Sequence, residues 1–341
     1  MKRLYDLDRA KGLAIFLVVA GHLVANYDEG PRGVEWYRVF YEHIYVFHMS
    51  FFMFVSGAIA GYSWHPLQTF SDYGGYVLRR GKRLLPAYFI FPIIVFIAKN
   101  AAQYFHMHVD SPVHDLSSFV LIVLYPTESF SSFLWYIIVL FFLYVALPVL
   151  LSVFRYRGSL LLLVACVLHF LPMPKMFAIH LFMEYLLFFL LGFFMMHNGK
   201  RKNQRYEALL AHLDRWWLFW VAVFLTALAF TNHYFYDEES KKVYKFFFGL
   251  LSIPALLGLV HGPLLASSRI LIILGFYTFP IYLMNTMAIG AVKSAMLRIA
   301  PWDGTNFLFY APVLLASGVI FPILLKKYLF CYIPPLDKIT H

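Results

Sequence analysis

The chain has 341 residues, 61% of them hydrophobic and 13% charged, whereas a soluble domain carries about 25% charged residues. The apolar residues come in long runs broken by short polar stretches, which excludes one large soluble core and fits an all-α integral membrane protein. The net charge of +10 lies in the breaks between runs and forms no basic stripe of its own, which argues against a nucleic-acid partner.

Ten runs are predicted as spans, at 11–27, 43–62, 84–104, 132–154, 158–173, 177–197, 216–233, 244–261, 269–288 and 307–330, in a single domain over 1–341. The first run follows a charged start, but Asp6 and Asp8 interrupt it and no small-residue cleavage pattern follows, so it is read as a retained helix and not a signal peptide. The stretch 116–125 is too short to cross and is expected as a half-helix at the outer surface. With the N-terminus inside, most of the 28 Lys and Arg fall in inner loops, notably Arg79, Arg80, Lys82 and Arg83, the Lys200–Arg215 stretch, and Lys326, Lys327 and Lys338. This bias predicts about ten crossings with both termini cytoplasmic. The natural partner is a lipid bilayer, and nothing in the sequence sets an oligomeric state.

The first span is the most informative. Lys11 and His22 are eleven residues apart, which at about 100° per residue is three turns plus about 20°, so they share a stripe about 16 Å long. Lys11 then sits at the inner surface and His22 inside the membrane. Asn26, four residues on, continues the stripe and can orient the imidazole or meet substrate, and Asp8 can pair with Lys11. An ionisable residue in hydrocarbon is costly and is a functional candidate by default. The bland alternative is a snorkelling lysine above a packed histidine. In the second span His48 can meet His22 if the two helices form a hairpin, and Ser56-Gly57 is a small step where a helix or ligand comes close.

Arg79-Arg80-Gly81-Lys82-Arg83 leads into Leu84-Leu85-Pro86. These cations suit a polyphosphate, or they serve only as anchors to lipid headgroups. Glu184 lies inside a span and needs a partner. Tyr282 and Asn285 can line the same cavity, and Trp135 opens a span as an interface anchor or a substrate contact. His106, His108, Asp110 and His114 have irregular spacing in a loop, so no metal is expected. Cys166 and Cys331 form no metal or disulfide framework. Nucleotide-loop, zinc-protease and serine-hydrolase motifs are not found.

Taken together, several motifs resemble the membrane acyltransferase-3 family, in its fucose 4-O-acetylase-like branch. They are Asp8-x-x-Lys11-Gly12-Leu13-Ala14-Ile15 running to Val18-Val19-x-Gly21-His22, and Phe47-His48-Met49-x-Phe51-Phe52 leading to Ser56-Gly57. Arg83-Leu84-Leu85-Pro86, Leu134-Trp135-Tyr136 and Leu274-Gly275-x-x-Thr278-x-Pro280-Ile281-Tyr282-Leu283 also fit. The sequence departs from the pattern at Lys11, where many members have Arg, and at Asn285, where relatives often have His. The resemblance implies transfer of an acetyl group from acetyl-CoA to a hydroxyl of a surface polysaccharide, an exopolysaccharide or its lipid-linked precursor, at the bacterial inner membrane. It implies His22 as general base with His48 assisting, and Lys11, Arg79, Arg80 and Arg83 on the donor's phosphates. Asn26, Ser56, Trp135, Glu184, Tyr282 and Asn285 are then the candidate contacts to the carbohydrate acceptor. The competing reading is a proton-coupled transporter or flippase for a glycolipid, with Lys11, His22 and Glu184 as the relay; against it, no paired inverted halves are detectable.

Overall fold

A computed structural model of the chain describes residues 5–23, 34–107, 109, 113, 115–197, 204–231, 238–301 and 306–340, and every regular element among them is a helix. In order these are α1 (Tyr5–Gly21), α2 (Glu35–Tyr45), α3 (His48–Tyr62), α4 (Phe70–Tyr104), α5 (Ser118–Leu124), α6 (Trp135–Val153) and α7 (Gly158–Phe170). Then follow α8 (Ile179–Met196), α9 (Gln204–Ala229), α10 (Glu238–His261), α11 (Arg269–Phe276), α12 (Thr278–Leu297), α13 (Phe307–Tyr328) and α14 (Pro334–Ile339).

Each predicted span overlaps a helix among the described residues, but three are built differently. The span at 43–62 breaks at Phe47, whose backbone leaves the helical region before α3 begins. The span at 84–104 starts at Phe70, because Thr69 caps it. The Asp72 amide donates to the Thr69 hydroxyl at 3.1 Å, and the Thr69 amide donates to the Asp72 carboxylate at 2.9 Å. The basic step Arg79–Arg83 is therefore helical, and Arg80 and Arg83, three apart, share a face. The span at 269–288 bends by 84° between α11 and α12. The predicted half-helix is α5.

The protein is a multi-pass membrane protein. Six spans among the described residues are long and apolar enough to cross a bilayer, and the bent pair α11–α12 would make a seventh. The other predicted crossings fall short of that measure. α1 has 17 residues, α7 has 13, and α9 carries Asp214 and Arg215 ahead of its apolar part. The outer surface is itself apolar: Phe89, Ile93 and Ile97 on α4, and Phe309, Val313 and Phe321 on α13, are exposed, as side chains that meet lipid tails must be.

α1 and α3 are the buried helices, and glycines let their neighbours close on them. A Cβ at Gly57 would lie 1.9 Å from the Phe189 carbonyl oxygen of α8, and one at Gly192 would lie 1.9 Å from that of Phe54. On α1, a Cβ at Gly12 would lie 2.0 Å from the Leu271 oxygen, and Gly275 approaches Asp8 equally closely. The fold thereby lays α11 antiparallel against the start of α1, and α12 leaves it at 84°.

Gly57→Ala is expected to lower the melting temperature in detergent, since overpacking against backbone costs about 1–3 kcal/mol. Gly74→Ala on α4, where nothing lies within 4 Å, is expected to be neutral or stabilising by about 0.5–1 kcal/mol. Equal melting temperatures for the two variants would contradict the close α3–α8 approach.

Candidate active site

Two cavities lie along α1. The larger, of about 1020 Å³, is lined by His22, His48, Trp135, Tyr185 and Tyr282, with Lys99, Lys245 and Lys293 around it. The smaller, of about 330 Å³, is lined by Lys11, Arg80, Arg83, Lys326, Ser56 and Tyr136, and again by Tyr282. The α1 stripe read from the sequence thus serves two chambers, with Lys11 at one and His22 at the other. Tyr282 is common to both.

His22 is fixed from behind. Its Nδ1 lies 2.8 Å from Asn285 Oδ1. The Asn285 amide nitrogen donates to the carbonyls of Ile281 at 2.9 Å and Tyr282 at 2.8 Å. Those two acceptors settle which end of the amide is nitrogen, so the end facing His22 is the oxygen and can only accept. His22 must therefore carry its proton on Nδ1, which leaves the Nε2 lone pair available as a base. His48 is tied in the same sense, its Nδ1 donating to the Ile44 carbonyl at 2.7 Å, and it packs edge-on against Tyr45. Neutral His48 can then accept a proton at Nε2 but cannot donate to an oxyanion.

The wall between the chambers is aromatic. Tyr136 stacks on Phe52 at 4.8 Å and lies 5.2 Å from Tyr282. Its hydroxyl shares a 2.7 Å hydrogen bond with Ser56, which in turn donates to the Phe52 carbonyl. The Tyr282 hydroxyl donates to the Phe133 carbonyl. Ser56 therefore holds Tyr136 on the side of the smaller chamber. In the larger chamber Trp135 stacks on Tyr185 at 5.4 Å. The hydroxyls of Thr127 and Thr286, two residues that line this chamber, are buried and have no hydrogen-bond partner, which suits them to a polar ligand.

The smaller chamber is strongly cationic. Lys11 pairs with Asp8 at 2.9 Å and Lys326 with Asp337 at 2.7 Å. The Arg80 guanidinium lies 4.1 Å from the centre of the Tyr144 ring, which holds its charge in place. Arg83 is exposed at the rim.

Of the residues singled out in the sequence, the structure gathers His22, His48, Trp135 and Tyr282 at one chamber, and Lys11, Arg80, Arg83 and Ser56, with Tyr282 again, at the other. Arg79 is exposed and lines neither. Glu184 does not line the larger chamber but lies behind it, paired with Lys245 at 3.0 Å. Asn285 is wholly buried and contacts His22 and its own helix, so it acts as a positioning residue. Asn26 lies outside the described residues, as do His108, Asp110 and His114; among the described residues no cluster could hold a metal ion.

Sequence reasoning missed Lys99, Lys245, Lys293, Thr127 and Thr286. Lys99 had a signal, a lysine inside the predicted span 84–104. Lys293 was lost because the ninth predicted span ended at 288, whereas α12 runs to Leu297.

The family model for acyltransferase-3, described as an acyltransferase domain, matches residues 4–327. The chain belongs to this family. No curated protein and no solved structure matches it. An acyltransferase needs a site for an acyl donor and a base for the acceptor, and the two chambers of this one offer a cationic pocket and an oriented imidazole.

Nitrogen-15 NMR of labelled histidine is expected to report the Nδ1–H tautomer at His22, and Asn285→Ala is expected to release it. An Nε2–H signal at His22 in the unaltered protein would contradict the arrangement.

Proposed function

We propose that this membrane acyltransferase moves an acetyl group from acetyl-CoA to a sugar hydroxyl of a surface polysaccharide, an exopolysaccharide or its lipid-linked precursor, at the inner membrane of a bacterium. The observation that carries the reading is the His22–Asn285 hydrogen bond at 2.8 Å, which leaves Nε2 as the free base in a chamber beside a cationic pocket. The reading takes ten crossings, with both termini and the basic end of the bundle in the cytoplasm, where acetyl-CoA is found.

The donor's nucleotide phosphates would sit on Lys11, Arg80 and Arg83, with Lys326 as a further cation. Arginine suits this task because its fork meets phosphate oxygens in pairs. The pantetheine arm would then pass the Tyr136–Tyr282 wall and bring the thioester into the larger chamber. Lys11 and His22 are eleven residues apart on the helix path, about 16 Å of rise, a distance that an extended arm can span.

A sugar hydroxyl is a weak nucleophile at neutral pH, so its proton must be taken as it attacks. Nε2 of His22 takes that proton while the hydroxyl oxygen bonds to the thioester carbonyl carbon. The tetrahedral intermediate collapses with cleavage of the carbon–sulfur bond. The coenzyme A thiolate leaves and takes up the proton from the imidazolium, which restores neutral His22. Asn285 holds the ring throughout and accepts from Nδ1–H, an interaction that strengthens as the ring gains charge. Thr127, Thr286 and Trp135 are the acceptor contacts in this scheme, and His48 is a second proton acceptor.

Purified protein given acetyl-CoA and a glycan acceptor is expected to release free coenzyme A. His22→Ala is expected to lower the rate by about 10²–10⁴-fold, the usual contribution of a general base, with the KM for acetyl-CoA little changed. Lys11→Met and Arg83→Met are expected to raise that KM, while Lys11→Arg retains most of the binding. Normal turnover in His22→Ala would end the base assignment. Glycolipid movement without coenzyme A release would favour the transporter reading instead.

A further inference from the structure

The two lysines of the smaller chamber each hold a carboxylate, but in different ways. Lys11 and Asp8 are three residues apart on α1, so that pair stays together whatever enters the chamber. Lys326, in the last turn of α13, is held by a separate element. Its ammonium donates to the Asp337 carboxylate and to the Asp337 carbonyl, both at 2.7 Å. One residue of α14 therefore takes two of the three hydrogens that Lys326 can offer to a phosphate.

The sequence directs α14 to this place. The chain leaves α13 through a tight turn at Phe330–Tyr332. Ile333 departs from helical geometry, as a residue before proline does, and Pro334 opens α14 at its first turn. At the far end Thr340 is wholly buried and lines the smaller chamber, its hydroxyl donating to the Leu336 carbonyl at 2.7 Å. Leu336 and Ile339 are partly buried against the hydrophobic core. Residues 331–335, which join α13 to this fastened end, are all exposed. A segment with so few buried contacts opens more easily than the bundle it rests on. It also lies beyond residue 327, where the family match ends.

We infer that α14 is an autoinhibitory strap on the donor pocket. Asp337 stands where a donor phosphate would meet Lys326, and entry of the donor breaks that pair and releases α14. A polyphosphate wins the exchange because it meets Lys11, Arg80 and Arg83 at the same time. The strap weakens donor binding in proportion to the fraction of protein in which it is open. The inference rests on the reading of this chamber as the donor pocket.

Calorimetric titration of the full-length, detergent-purified chain with free coenzyme A, combined with hydrogen exchange of α14, tests this. Asp337→Asn is expected to bind coenzyme A about three- to tenfold more tightly than the unaltered chain. The Asp337 side chain is 45% exposed, so the isosteric change is tolerated by the fold. Asp214→Asn removes the same charge from a carboxylate that is 61% exposed and lines neither chamber, and its binding is expected to be unchanged. The Asp337 and Thr340 amides, which donate to the Ile333 and Leu336 carbonyls, are expected to exchange faster when coenzyme A is bound to the unaltered chain. This second measurement holds even if Asp337→Asn does not fold. Equal affinity in Asp337→Asn and the unaltered chain, or equal tightening in Asp214→Asn, would overturn the strap. Slower exchange in α14 on binding would also overturn it, since the segment would then be closing over the ligand. Failure of the donor-pocket reading would show separately, as coenzyme A binding insensitive to Lys11→Met and Arg83→Met, and would remove the strap's role with it.

Discussion

The constraint on which the rest depends is that an imidazole inside a membrane bundle must have its polar atoms satisfied by protein. Asn285 does this for His22, and in doing so it decides where the proton sits. The amide has no freedom to turn, because its nitrogen is held by two carbonyls of its own helix. One hydrogen bond between α1 and α12 thus sets both the orientation of the ring and the nitrogen left for chemistry. In this chain Asn285 orients the His22 ring.

The second organising feature is that the cationic pocket and the imidazole lie in different chambers that share Tyr282. In the proposed reaction this separates the charged part of the donor from the reacting carbonyl. The phosphates remain where arginine and lysine can reach water, and the thioester enters a chamber walled by aromatic rings. Tight helix contacts at Gly12, Gly57, Gly192 and Gly275 hold the helices that carry these walls close together, and the segment between α5 and α6 completes the larger chamber with Thr127 and Phe133.

Much of this was legible in the sequence. Helical periodicity alone placed Lys11 and His22 on one stripe, and an ionisable residue inside an apolar run pointed to His22, His48 and Glu184. Most of the helices were readable from hydropathy, down to the short α5, but α14 and most of α2 were not, and among the described residues six spans, or seven with the bent pair, have the length and hydropathy of a crossing. What the sequence hid has physical causes. The capping box at Thr69 turned a predicted basic loop into helix, which set Arg80 on a tyrosine ring and left Arg79 exposed. α12 runs past the predicted end of its span to Leu297, which brought Lys293 into the wall. Glu184 found its partner in Lys245, 61 positions away in the chain, a pairing that no local pattern encodes. Asn285 read as a substrate contact because its distance from His22 in the chain concealed their hydrogen bond.

A structure determined by cryo-electron microscopy with a non-hydrolysable thioether analogue of acetyl-CoA would test the central claim most directly. The account predicts nucleotide phosphates against Lys11, Arg80 and Arg83, the arm passing Tyr282, and the acyl carbon facing Nε2 of His22. An analogue bound with its acyl end away from the His22 chamber, or with its phosphates on a different surface, would contradict it.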